Sequence, residues 1–206
     1  MGKHAHSIDS KVLDRIRRKT TGAVFTPADF ADLGSRVAID HALSRGARAG
    51  RLQKLARGVY GSPRRHPRLG LLAPSMDDIA RALAGRDASR LQPSGAHAAN
   101  VLGLSDQVPV RAVYLTDGRS RTVQIGKRTV VLKKTTPRNM ATAGRISGTV
   151  IQALRWLGLR HVDDQLIAKL RRRLSESDRK QLLADTRFAP AWIAGVMRRL
   201  ADEAER

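Results

Sequence analysis

From Ser7 to Lys19 the apolar positions Ile8, Val12, Leu13 and Ile16 recur three and four residues apart, which predicts a helix with Ser7 or Ser10 as its cap. After Val24 and Phe25, the run Thr26 to Gly34 has Thr26 as an N-cap, Pro27 at the first helical position, Asp29 in the first turn and Gly34 at the end. A short second helix is expected there. Ser35 then caps a third, Arg36 onward. On a helical wheel Ile39, Ala42, Leu43, Gly46 and Ala47 share one side, with Arg36 near its edge. Val37, His41, Ser44, Arg45 and Arg48 share the other, with Asp40 toward its margin.

Leu52 and Leu55, then Val59 and Tyr60, form two short apolar runs about Gly58, a pattern that predicts a β-hairpin with a tip tolerant of positive φ. Helix, short helix, longer helix and hairpin is the order of a winged helix-turn-helix. Arg57 and Gly58 then lie at the wing tip and Lys54 on its flank, with the third helix in the major groove. In this reading Val37 is placed for a thymine methyl group and Arg36, near the helix start, for guanine.

The stretch Gly61 to Arg68 holds two prolines, one glycine and three arginines and reads as a linker, with the domain boundary near residue 68. Beyond it, Ser75 caps one short helix with Ile79 and Leu83, and Ser94 to Leu104 makes a second from small residues. The period then changes to alternation. Val110, Ala112 and Tyr114 fall on one face of a strand and Arg111, Val113 and Leu115 on the other, and two further runs flank Gly126 and Lys127, so a small antiparallel sheet is expected. Helices return after Pro137: Ile146 to Leu157, Val162 to Leu174, a segment through Leu182 to Ala184 opened by Ser175 and Asp178 as a capping box, and Pro190 to Ala204. The expected fold is α+β: an N-terminal winged helix-turn-helix over residues 1–68, followed by a mixed domain over 69–206 with its own core through Val110, Val113, Leu115, Ile151, Leu154 and Trp156.

Charge turns this architecture toward a partner. The 206 residues include 39 Lys plus Arg against 18 Asp plus Glu, a formal charge of +21. Between Arg36 and Arg68 nine basic residues meet one acidic residue, Asp40, and nucleic acid is the first expectation. A second basic cluster, Arg119, Arg121, Lys127, Arg128, Lys133, Lys134 and Arg138, contains no acid. It serves either to protect an exposed strand edge or to contact phosphates. Aromatic residues are only 3 %, which argues against stacking-based single-strand or RNA recognition and favours double-stranded DNA, an operator of inverted repeats.

Other chemistries find little footing. The absence of cysteine excludes disulfides, zinc fingers and thiol catalysis, and His41, His66, His97 and His161 are scattered without ligand spacing, so no metal or cofactor is expected. Gly126 and Lys127 lack the rest of a phosphate loop: Arg121 stands where the earlier glycine belongs and Arg128 where Ser or Thr belongs. Asp77 with Asp78, and Asp163 with Asp164, open helices rather than hold Mg²⁺. No catalytic constellation results, and an enzyme is not expected. No run of 18 apolar residues spans a bilayer, and the first ten residues read as a disordered leader or expression remnant rather than a signal peptide, so the expected location is cytoplasmic.

The hairpin from Arg51 to Pro63, followed by the stretch Pro93 to Arg138, resembles the AbiEi-like antitoxins of type IV toxin-antitoxin systems, specifically a compact branch described only as a domain of unknown function. The resemblance covers residues 8 to 160, and the second stretch is its more specific part. It implies a bifunctional protein. The winged helix would repress its operon promoter, and the C-terminal domain would add to repression and counteract a nucleotidyltransferase-like toxin without a stable complex. This chain has a shorter C-terminal part than longer members. The alternative from the residues is a free-standing nucleic-acid-binding protein, for DNA or RNA, with no toxin partner.

Overall fold

The computed structural model describes residues 7–85 and 90–202. Residues 1–6 of the expected leader and 203–206, which include the end of the last expected helix, lie outside the described residues. The fold is α+β, and the chain divides into two compact units: Met1–Ala88 with Val123–Lys127, and Ser89–Thr122 with Arg128–Arg206.

In the first unit, α1 (Ile8–Arg17) begins at Ser7, whose Oγ accepts from the Ser10 amide at 3.2 Å and satisfies one of the free N–H groups of the first turn. β1 (Val24–Phe25) follows. Asp29 Oδ2 accepts from the Thr26 amide at 2.7 Å, and the expected short second helix is a single 3₁₀ turn, Pro27–Phe30. The expected third helix is therefore α2 (Arg36–Arg48), where Ser35 Oγ accepts from the Ala38 amide at 3.3 Å. Its buried side is Ile39, Ala42, Leu43 and Gly46, as the wheel predicts. β2 (Gln53–Ala56) and β3 (Val59–Gly61) form the expected antiparallel hairpin about Arg57 and Gly58, and β1 pairs the far edge of β3 through Val24 with Gly61 and Phe25 with Tyr60. One core of Val12, Ile16, Phe25, Phe30, Ile39, Leu43, Leu52 and Tyr60 joins these elements. Truncating Leu43, which has no exposed surface, to alanine removes about 2–5 kcal/mol.

The expected linker is structured. Residues 61–68 contain the end of β3 and all of β4 (Arg64–His66), which pairs with β5 (Gly70–Leu72). Pro63 and Pro67 fall on either side of β4, so the strand keeps its N–H groups, and a composition typical of linkers builds a hairpin instead. α3 (Met76–Ala84), capped by Ser75, buries Met76, Ile79, Ala80 and Leu83 and packs on β1. Residues 69–85 thus go with the first unit rather than with the domain expected from residue 69 onward.

The second unit holds β6 (Leu91–Ser94), α4 (Gly95–Val101), β7 (Arg111–Thr116), the first two residues of β8 (Arg121–Ile125), all of β9 (Arg128–Lys134), and then α5 (Pro137–Met140), α6 (Ile146–Leu157), α7 (Asp164–Arg171), α8 (Glu176–Asp185) and α9 (Ala191–Ala201). The sheet order is β6-β7-β9-β8. It is mixed rather than antiparallel throughout: β6 runs against β7, but β7 and β9 are parallel, with Ala112 opposite Val130 and Tyr114 opposite Leu132. The chain lays β8 on the outer edge and turns back at Gly126, φ +58°, so the returning strand enters beside β7 in the same direction.

Helices α4, α6, α7, α8 and α9 share a core that includes Leu102, Ile151, Leu154, Ile167, Leu170, Leu182, Ile193 and Met197. Of the expected core residues, Leu115, Ile151 and Leu154 are buried and Val113 is half-buried. Val110 and Trp156 are 64 % and 51 % exposed: Val110 precedes the first residue of β7, and Trp156 lies past the packed stretch Ser147–Leu154 of α6. α4 packs on α6, where Ala98, Ala99 and Ala153 are fully buried, and on the side of α6 toward β6 a β-carbon on Gly148 would overlap the Thr142 carbonyl oxygen and the Gln92 side chain. The capping box of α8 is present, Ser175 Oγ accepting from the Asp178 amide at 3.2 Å and Asp178 Oδ2 from the Ser175 amide at 2.9 Å. At its other end Asp185, only 1 % exposed, accepts from Ser147 Oγ at 2.5 Å, Arg145 Nη1 at 2.8 Å and Gln181 Nε2 at 2.9 Å, which ties α8 to the start of α6.

Candidate nucleic-acid interface

The buried row of α2 leaves Val37, His41, Ser44 and Arg48 on the opposite side, spaced four, three and four residues apart and so stacked along one ridge. Val37 is 65 % exposed, His41 and Arg48 are exposed and Ser44 is half-buried. Among the described residues neither His41 nor Arg48 has a carboxylate within ion-pair range. The ridge presents a methyl pair, an imidazole, a hydroxyl and a guanidinium, with no bulky side chain among them.

The other two arginines of α2 are engaged within the unit. Arg36 Nε donates to Asp40 Oδ2 at 2.9 Å, one turn along the same helix. Arg45 grips Asp9 of α1 with two hydrogen bonds, Nε to Oδ2 at 2.7 Å and Nη2 to Oδ1 at 2.5 Å. That hydrogen bonding holds the Asp9 carboxyl below its usual range and pushes the Arg45 guanidinium higher. Sequence reading places Arg45 with Arg48 as a free cation, whereas it serves as a brace between α1 and α2 in the unbound molecule.

A second brace ties α1 to the 3₁₀ turn and the residues after it. Arg15 Nη1 and Nη2 each lie 2.6 Å from an oxygen of the Asp32 carboxylate, and Nη1 also donates to the Asp29 carbonyl at 3.2 Å. A cleft of about 490 Å³ lies beside it, lined by Arg15, Lys19, Val24, Phe25, Asp29 and Phe30.

In the β2–β3 hairpin Lys54 stands opposite Tyr60, and a bulge at Leu55 brings Ala56 opposite Val59. Gly58 takes φ +69°, a left-handed conformation that glycine adopts without strain. Arg57 and Lys54 are exposed, and neither has an acidic partner among the described residues.

Sequence reading counts Arg64, Arg65 and Arg68 in the basic excess but places no site residue in the β4–β5 hairpin, because the proline and glycine neighbours suggest a linker. Arg64, Arg65, His66 and Arg68 are all exposed. The signal available was the symmetry of the stretch, Pro63 and Pro67 bracketing three residues and Gly70 opening a second run of three.

In the second basic cluster Arg119, Arg121, Lys127, Lys133, Lys134 and Arg138 are exposed and Arg128 is half-buried. No acidic side chain among the described residues lies within ion-pair range of any of them. Lys133 and Lys134 end β9 opposite Leu115 and Thr116 of β7, and Ser120 Oγ accepts from the Lys134 amide at 3.0 Å. Arg121 opens the edge strand and Lys127 follows the Gly126 turn, so six of the seven stand on one edge strand, its turns or the end of its neighbour.

Among the described residues no three His, Asp or Glu side chains gather at metal-binding range, and no helix is long and apolar enough to cross a membrane. A family model described as a family of unknown function (DUF6088) matches residues 11–182, and the chain belongs to that family. No curated protein matches the chain.

Proposed function

We propose that this member of the DUF6088 family is a duplex-DNA-binding transcriptional regulator whose first unit acts as a winged helix-turn-helix. The observation that carries this reading is the two-sidedness of α2. One side is sealed into the core by Ile39, Ala42, Leu43 and Gly46, and the other offers Val37, His41, Ser44 and Arg48 beside a hairpin tipped with Arg57. In this reading α2 enters the major groove and discriminates bases, while Lys54 and Arg57 hold phosphates or the adjacent minor groove.

The resemblance of residues 8 to 160 to AbiEi-like antitoxins supports a more specific role. The chain would repress its own operon and counteract a nucleotidyltransferase-like toxin, with the second unit and its cluster from Arg119 to Arg138 contributing to both. The test has two arms. Gel-shift titrations on the upstream promoter and on a random duplex should show that His41→Ala with Arg48→Ala removes the preference for the promoter. Co-expression with a nucleotidyltransferase encoded next to the chain should restore growth, and Lys133→Glu with Lys134→Glu should abolish that rescue. Equal promoter affinity for the α2 double variant and the native chain would overturn the helix assignment, and failure of rescue by the native chain would overturn the antitoxin role.

A further inference from the structure

We infer that the β4–β5 hairpin is a second DNA-contacting element, a basic β-ribbon that lies along the duplex beside the segment held by α2. This rests on the duplex-DNA reading above and adds to it an element that sequence reading assigns to a linker.

A two-stranded hairpin by itself is marginal in water and needs packing or a partner to justify its order. Here nearly every position is exposed: Arg64, Arg65 and His66 on one strand, Gly70 and Leu71 on the other, and only Leu72 is half-buried. Leu69 at the tip is 72 % exposed and Leu71 is 49 % exposed. No acidic residue occurs between Ser62 and Ser75, and none of the three arginines has an ion-pair partner among the described residues. Such a ribbon has charge complementarity with a polyanion and with little else.

The ribbon is tied down at its root and its tip, which presents it in one place to a partner. Its root is pinned where Ser62 N–H donates to the Ala23 carbonyl at 2.9 Å and where the Arg64 stem lies against Gly22. At the tip His66 Nδ1 accepts from the amides of Arg68 and Leu69 at 3.2 and 3.3 Å, closing the turn. The register sets Arg65 opposite Leu71 and Arg64 opposite Leu72, so alternate positions give each face an arginine and an aliphatic neighbour. Strands about 4.8 Å apart make a ribbon that a groove about 12 Å wide admits. Arg68 and Leu69 lead at the tip.

The test uses the full chain with Arg64, Arg65 and Arg68 all changed to alanine, substitutions on an exposed hairpin that leave the core untouched. Affinity for promoter and random duplexes should fall by similar factors, roughly 10- to 100-fold. The slope of log K against log salt should become shallower by about 2–3, one contact's worth per arginine. Amide exchange in residues 64–72 should slow when promoter duplex is added. Unchanged affinity and slope in the triple variant, no slowing in 64–72 while α2 amides do slow, or a loss confined to RNA duplexes would each overturn the inference. A native chain that binds no duplex at all would instead refute the reading on which it rests.

Discussion

Arg45 of α2 and Asp9 of α1 meet in a two-pronged ion pair across 36 residues of sequence, Nε to Oδ2 at 2.7 Å and Nη2 to Oδ1 at 2.5 Å. The helix proposed to read DNA is thereby braced by one of its own cations. The pair is solvent-exposed, so it orients more than it stabilises.

Releasing that cation should strengthen binding. Asp9→Ala is expected to raise duplex affinity several-fold at low salt and to steepen the salt slope by about 0.9, the contribution of one added phosphate contact. Arg45→Ala alone should change affinity little, and in the Asp9→Ala background it should cancel the gain. Gel shifts at several salt concentrations check this, and a large loss from Arg45→Ala alone would show that DNA opens the pair.

Stability should fall in acid and again in strong alkali. Arg45 beside Asp9 and Arg90 beside Asp117 hold both carboxyls below the ordinary 3.8, so each contribution is present above that value and is lost as pH falls through the lower folded value. Burial pushes the Tyr60 hydroxyl above 10.0, aided by Asp40, so its contribution is present below 10.0 and lost as pH rises beyond it. Urea midpoints measured across pH should show a plateau between these limits; Asp117→Asn should lower the plateau and make the acid decline shallower, because one of the carboxyls that titrates there is gone.

Gly58 tests backbone conformation in isolation. A β-carbon there meets nothing within 4 Å, so the cost of Gly58→Ala comes from φ +69° alone, about 1–2 kcal/mol. Gly58→Asn should lose less, since asparagine tolerates the left-handed region better. Chemical denaturation of the three proteins orders them, and equal stability of the alanine variant would place the hairpin outside the cooperative unit.

Asp185 should be the most sensitive acidic position of the second unit. Asp185→Ala leaves the buried Ser147 hydroxyl and the Gln181 amide without their acceptor and should cost about 2–4 kcal/mol. Ser147→Ala together with Asp185→Ala should cost less than the sum of the two single changes, because both act through one network. Additive losses would contradict the shared role.

What was legible in the sequence was local. The caps at Ser7, Ser35, Ser75 and Ser175, the two faces of α2 and the glycine turn at Gly58 all follow from residues within one or two turns of each other. What was not legible depends on distant partners. Asp9 claims Arg45 from another helix, and β7 finds β9 as a parallel neighbour only because β8 goes to the edge. β6 hides behind Pro93, which an edge strand accommodates. Val110 and Trp156 look like core by type and are exposed by position, one before a strand and one past the packed part of a helix.

The seam between α4 and α6 constrains which variants the chain can tolerate. Ala98, Ala99, Ala153 and Gly148 are already at or near the smallest size a residue can have, so every substitution there except alanine to glycine adds atoms. Elsewhere in the core a single nucleotide change can leave a void that neighbours partly refill; at Gly148 it inserts a side chain into space already taken by the Thr142 carbonyl and by Gln92, and at the three fully buried alanines it adds volume to a packed interior. Random mutagenesis scored for solubility should therefore show these four positions as depleted of every larger residue, while leucine sites such as Leu154 and Leu170 retain methionine and isoleucine.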